Sequence, residues 1–184
     1  IYEAMAMIEG INDAGYSISG VDYLDILVAN SFLDIANLST IKLNVSNGCS
    51  SLISWGAATE GTDLDGKSVI SRHMDWSDNS AIIRNQVMVI HQPSEEDEQP
   101  WLQIGFAGQI SVLSGVNQSG LAVMQHMLSD ENSNGRLNQG YEPIWFSLRR
   151  AIEKADSDGA RGSTVAEVLN VLASNINGYG NSYI

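Results

Sequence analysis

The chain has 184 residues, and 9 Lys plus Arg against 22 Asp plus Glu leave a formal charge of −13. That acidity argues against nucleic acid as a partner, because sequence-independent binding to phosphate backbones needs clustered basic residues. At 43% hydrophobic and 17% charged residues, the chain has material for one core. No apolar run approaches the roughly 20 residues of a membrane helix, and the single cysteine, Cys49, excludes an internal disulfide framework and a multi-cysteine zinc site.

Residues 1–48 carry six acids and one base, net −5. Within them Ala4, Met5, Met7, Ile8 and Ile11 predict one amphipathic helix closed by Gly15. Ser19 reads as the start of a second helix through Tyr23, Leu24, Ile26, Leu27 and Phe32. Residues 38–45 look extended, and Asn47-Gly48 marks a turn before Cys49. Strands are then expected at 49–55 and 68–76, joined by a hairpin turn at 63–67, with a third at 82–91. Residues 94–99 form an acidic segment, most simply a solvated tip. Further strands are expected at 101–106, 111–116 and 121–127, the last two joined by a turn at 117–120. After a polar loop, residues 142–155 predict a helix with Pro143 in its first turn and Ile144, Trp145, Leu148 and Ile152 on one face. Thr164 and Glu167 make a capping-box pattern opening a last helix. Helices, then five or six antiparallel strands, then helices define an α+β chain.

The chemistry centres on Cys49. A small buried hydrophobe is the bland reading; the functional one is a nucleophile, which needs a base and donors for an oxyanion. His73, His91 and His126 form no papain-like arrangement with it, and His91, at a strand end beside a loop, reads as a surface imidazole. The histidines also lack metal-ligand spacing, so no metal or other cofactor is expected. Were Cys49 the first residue of its chain, its own α-amine, which titrates near about 8, would serve as the base. Freeing that amine means cutting Gly48–Cys49, and the same thiol can attack the Gly48 carbonyl. Glycine suits the position, since it tolerates strained backbone and leaves the carbonyl open.

Gly48-Cys49-Ser50-Ser51, followed by Asp65-Gly66-Lys67-Ser68-Val69-Ile70-Ser71-Arg72-His73-Met74-Asp75-Trp76, resembles the start of N-terminal-nucleophile (Ntn) hydrolases. The branch is that of choloylglycine hydrolases and isopenicillin-N acyltransferase-like cysteine enzymes. The stretch from Gly115 to Val123, the helix after Pro143 and the two helices before Cys49 have counterparts there. The resemblance implies an αββα sandwich of antiparallel sheets flanked by helices, with residues 1–48 as a helical propeptide and 49–184 as the N-terminal part of the catalytic domain. The second Asn and second Arg of the family's site would then come from strands beyond Ile184, and residues 181–184 read as a strand just beginning.

By the same resemblance Cys49 is nucleophile and base, Asp75 binds the freed α-amine and Arg72 steadies the thiolate. Residues three apart on a regular strand face opposite sides, so bringing Arg72 and Asp75 to one site requires a bend or a strand end near His73 and Met74; otherwise they read as a surface pair. Bile salt hydrolases carry an oxyanion-hole Asn on the next strand pair. Here that place holds no Asn, and neighbouring Gln125 and His126 are the oxyanion candidates.

The expected activity is an autoproteolytically activated cysteine hydrolase cleaving linear amides of small molecules through a thioester. Acyl transfer in the same fold is the close alternative, and an unprocessed, non-catalytic binding module the distant one. The substrate-binding residues, homo-oligomerisation and the compartment stay open, export with a signal peptide absent from this chain included.

Overall fold

A computed structural model describes residues 1–38, 48–75, 79–126, 142–154 and 164–173, with residues 36–38 described by backbone alone. Three helices open it: α1 (Tyr2–Asp13), α2 (Tyr23–Ala29) and α3 (Phe32–Leu38). The second predicted helix is therefore two. It begins later than Ser19, because Asp22 caps α2: its carboxylate accepts from Leu24 N and Asp25 N, while Asp25 accepts from Asp22 N. It breaks at Asn30–Ser31 because the Asn30 side chain is committed elsewhere. Buried to 3% exposure, its Oδ1 accepts from Ile110 N at 2.9 Å, Ser111 N at 3.1 Å and Ser111 Oγ at 2.6 Å. Its Nδ2 donates to Ile26 O and Gly108 O. Leu38 closes a helix rather than opening an extended tract, the remainder of which lies outside the described residues.

β1 (Gly48–Ser54) and β2 (Val69–Asp75) form a two-stranded antiparallel sheet, with Gly48 opposite Asp75 and Cys49 opposite Met74. A short helix α4 (Ser80–Arg84) follows, and the strand expected at 82–91 is reduced to β3 (Gln86–His91). Asn79 explains the difference, since its side chain accepts from Ala81 N and caps a helical turn. β3, β4 (Trp101–Phe106), β5 (Ser114–Asn117) and β6 (Ala122–Met124) make a second antiparallel sheet in that order. β5 starts later than expected because Ile110 and Ser111 give their N–H groups to Asn30 rather than to a strand.

α5 (Ile144–Glu153) and α6 (Val165–Ala173) follow the second sheet, α5 in contact with β5 and β6. All four face residues predicted for α5 are buried. They join Trp101, Val112, Val123, Val168 and Leu172 in one core. Gly115 permits this closeness: a Cβ there would sit 2.8 Å from Ile152 Cδ1 and 3.1 Å from the Leu102 carbonyl. The capping box of α6 forms, Thr164 N donating to Glu167 Oε2 and Glu167 N to Thr164 Oγ1. The N-terminal helices are fastened to α5. Buried Asp34 accepts from Ile144 N at the start of α5, where the helix dipole favours a carboxylate. Glu3 pairs with Arg149, which also binds Glu153 and lies 5.5 Å over the Trp101 ring. The molecule is thus α+β with two antiparallel sheets and helices.

Two local readings need amending. The acidic segment is solvated over residues 94–97, as expected, but its end is anchored: Gln99 is buried, its Nε2 donating to Lys154 O, and exposed Asp97 pairs with Lys154. His91 is not a plain surface imidazole, since it stacks on Trp101 with centroids 3.7 Å apart and planes 7° off parallel. Burial, and then the Arg149 charge, hold His91 below its ordinary pKa, with Glu3 opposing. A lowered folded-state pKa means the unfolded chain takes the proton more readily, so this contribution is lost as pH falls through about 6.5. Thermal melting from pH 7 to 5.5 is expected to drop less steeply in His91→Phe, which keeps the stack; equal slopes would count against the assignment.

Candidate functional site

β1 carries the thiol and β2 its neighbours. Because side chains alternate along a strand, the pairing of Cys49 with Met74 and of Ser51 with Arg72 puts these four on one face. Arg72 uses that position: its Nη2 donates to Cys49 Sγ at 2.9 Å and to the Gln125 backbone carbonyl at 3.0 Å. Asp75 goes the other way. β2 runs without a bend through His73 and Met74, so Asp75 projects from the opposite face and accepts from Ser50 Oγ at 3.2 Å. Arg72 and Asp75 consequently do not pair and do not meet at the sulfur. Their register still brackets the Gly48–Cys49 bond: Asp75 lies opposite Gly48, while Arg72 reaches the thiol. Trp76 lies outside the described residues.

The chain just after β6 closes the site. Gln125 is 1% exposed. Its N–H goes to Leu113 O, its carbonyl takes the Arg72 donor, and its Oε1 accepts from Trp145 Nε1 at 3.0 Å. His126 also reaches β1, with Nδ1 3.2 Å from the Cys49 carbonyl and Nε2 2.9 Å from Ser51 Oγ. A carbonyl only accepts, so in the neutral ring Nδ1 carries the hydrogen and Nε2 receives the Ser51 hydroxyl. That is the polarity a general base requires.

A cavity of about 360 Å³ opens beside the thiol. Cys49, Arg72 and Gln125 supply polar atoms on one side. The rest is mostly apolar: Met74, Phe106, Leu113 and Trp145 from the strand-rich part, and Ile26, Phe32 and Leu33 from α2 and α3. Phe32 meets Trp145 edge to face at 5.7 Å. Phe106 and Trp145 serve both core and cavity wall. Trp101 is core, and Met127 lies outside the described residues.

No family model, no curated protein and no solved structure matches this chain. The site therefore stands on its own geometry.

Among the described residues, no three His, Cys, Asp or Glu side chains are grouped to hold a metal ion, and no helix is long and apolar enough to cross a membrane. The structure brings Gly48, Cys49, Arg72, Gln125 and His126 together at the start of β1, with Asp75 beside them on the opposite face. Ser51 and Trp145 were missed as site residues. Ser51 had a signal, since position i+2 on a strand shares the face of Cys49. The Trp145 indole gave none beyond its place on an apolar helix face.

Proposed function

We propose that the chain is a cysteine hydrolase of the N-terminal-nucleophile type, similar to the choloylglycine hydrolase and isopenicillin-N acyltransferase-like enzymes. In this reading the two sheets belong to an αββα sandwich and residues 1–48 act as a propeptide. The observation that carries it is the contact of Arg72 Nη2 with Cys49 Sγ at the wall of an apolar cavity. A guanidinium donating to sulfur gives a charge-assisted hydrogen bond once thiolate forms.

Maturation begins when Cys49 Sγ attacks the Gly48 carbonyl carbon. The Gly48–Cys49 C–N bond breaks, the nitrogen takes up a proton, and the resulting thioester is hydrolysed to a Gly48 carboxylate and a free Cys49 α-amine. In this reading Asp75, opposite Gly48 in the ladder, balances the ammonium form of that amine. In turnover, the neutral amine takes the thiol proton as sulfur attacks the substrate carbonyl, then delivers it to the leaving amine. Water hydrolyses the thioester acyl-enzyme, or an acceptor amine displaces it in the transferase variant. The lining of the cavity favours an apolar acyl group.

Intact mass spectrometry of the chain, before and after p-nitrophenyl hexanoate, tests this. Pieces ending at Gly48 and starting at Cys49, with one hexanoyl group mapped to Cys49, are expected. A competing amine that captures the acyl group identifies transfer. An uncut chain with no adduct overturns the proposal in favour of a binding module. An adduct on Ser51 would replace Cys49 with the Ser51–His126 pair.

A further inference from the structure

The proposed mechanism draws nucleophile and base from Cys49 alone and leaves Ser51 and His126 without a task. Both nevertheless sit beside the residue that carries the sulfur. Ser51 follows Cys49 by two positions on β1, so it shares that face about 7 Å further along the strand. It is exposed, whereas His126 is half-buried and reaches it from beyond β6. As a stability contact such a pair contributes only about 1 kcal/mol.

Its polarity carries more. The Cys49 carbonyl holds the hydrogen on Nδ1, which leaves Nε2, 2.9 Å from Ser51 Oγ, to receive the hydroxyl proton. The backbone of the nucleophile thereby sets the base behind the serine. With its proton committed to His126, the Ser51 oxygen still has acceptor capacity, and it offers that capacity toward solvent. A second pair, Ser71 with His73 at 3.1 Å, lies on the opposite face of the β1–β2 hairpin, away from the sulfur.

We propose that Ser51 and His126 relay the proton of the water that hydrolyses an acyl group from Cys49. The inference rests on Cys49 as nucleophile and favours hydrolysis over transfer. Water oxygen bonds to the thioester carbon, its proton passes to Ser51 Oγ, and the Ser51 proton passes to His126 Nε2. The C–S bond then breaks, releasing the carboxylic acid and a thiolate held by Arg72. The imidazolium returns its proton to the sulfur, which restores the neutral ring. Ser51 touches the attacking water and is the catalytic residue; His126 acts through it.

Two fates of one thioester separate this role from a structural one. Water must lose a proton as it attacks, whereas hydroxylamine attacks as a neutral nitrogen and needs no base beforehand. With p-nitrophenyl hexanoate, the burst of p-nitrophenolate reports acylation of Cys49, and the decay of the hexanoyl adduct by intact mass reports its removal. In Ser51→Ala and in His126→Gln the burst should keep its rate, while decay in water falls about 100-fold. The double variant should fall no further, as expected of residues acting as one unit. Decay in hydroxylamine should stay at the wild-type rate, and Ser51→Thr, which keeps the hydroxyl, should keep the wild-type ratio of the two decays. Unchanged decay in water, or an equal fall in both decays, overturns the relay and leaves Cys49 as nucleophile. A hexanoyl group mapped to Ser51 also overturns it, since the hydroxyl would then attack for itself. A wild-type chain that takes no acyl group overturns the nucleophile reading and this inference with it.

Discussion

Cys49→Ala is expected to yield one uncut chain that takes no acyl group, with turnover of any amide substrate reduced by at least about 10⁴-fold. In the proposed mechanism the sulfur is the attacking atom in both maturation and turnover, and the free amine exists only once the sulfur has cut the chain. Removing it therefore ends the sequence at its first step. The fold should not suffer. Cys49 is only half-buried, and Arg72 Nη2 keeps the Gln125 carbonyl as an acceptor when the thiol is gone. Intact mass, acyl-adduct mapping and thermal melting on the same preparation check the three parts. A Cys49→Ala chain that still separates after Gly48, or still acquires an adduct, sinks the assignment. A large fall in melting temperature would recast Cys49 as a packing residue.

Asn30→Ala is expected to cost about 3–5 kcal/mol of folding stability. The side chain is buried, and its Oδ1 accepts from Ile110 N, Ser111 N and Ser111 Oγ. Alanine leaves these donors facing one another across an empty space, at about 1–3 kcal/mol for each unsatisfied buried group, and such losses are not additive. The carbonyls of Ile26 and Gly108 lose a donor as well. Urea unfolding should show a lower midpoint with an unchanged slope. A loss under about 1 kcal/mol would mean that water takes the place of the amide. The consequence is not confined to stability, because Asn30 also borders the cavity beside Cys49.

The elements most legible in the sequence are those whose periodicity and packing agree. α5 reads correctly because Ile144, Trp145, Leu148 and Ile152 recur at helical spacing and all reach the core. β1 and β2 read correctly because turn residues separate two extended runs. Asn30 was illegible for the opposite reason: within an apolar helical run it looks like any polar residue, and its partners lie about 80 positions away. Ile82 and Ile83 fall in the strand expected at 82–91, yet Asn79 caps a helical turn there. At the site, the association of Arg72 with Cys49 followed from motif order. The opposed faces of Arg72 and Asp75 followed from strand alternation, whereas the bend that would have united them is not in β2. The Gln125–Trp145 hydrogen bond joins a strand end to a helix 20 residues later, and neither local pattern hints at it.

Chain ends ordinarily fray, because a terminal residue has backbone contacts on one side only. Any new end created by cutting before Cys49 would begin with a residue already held at two atoms. Its carbonyl is tied to His126 Nδ1 and its sulfur to Arg72. Ordering one residue costs about 1–2 kcal/mol of backbone entropy, and in the proposed enzyme that ordering would belong to folding rather than to each turnover. A terminus made in this way would be born in register.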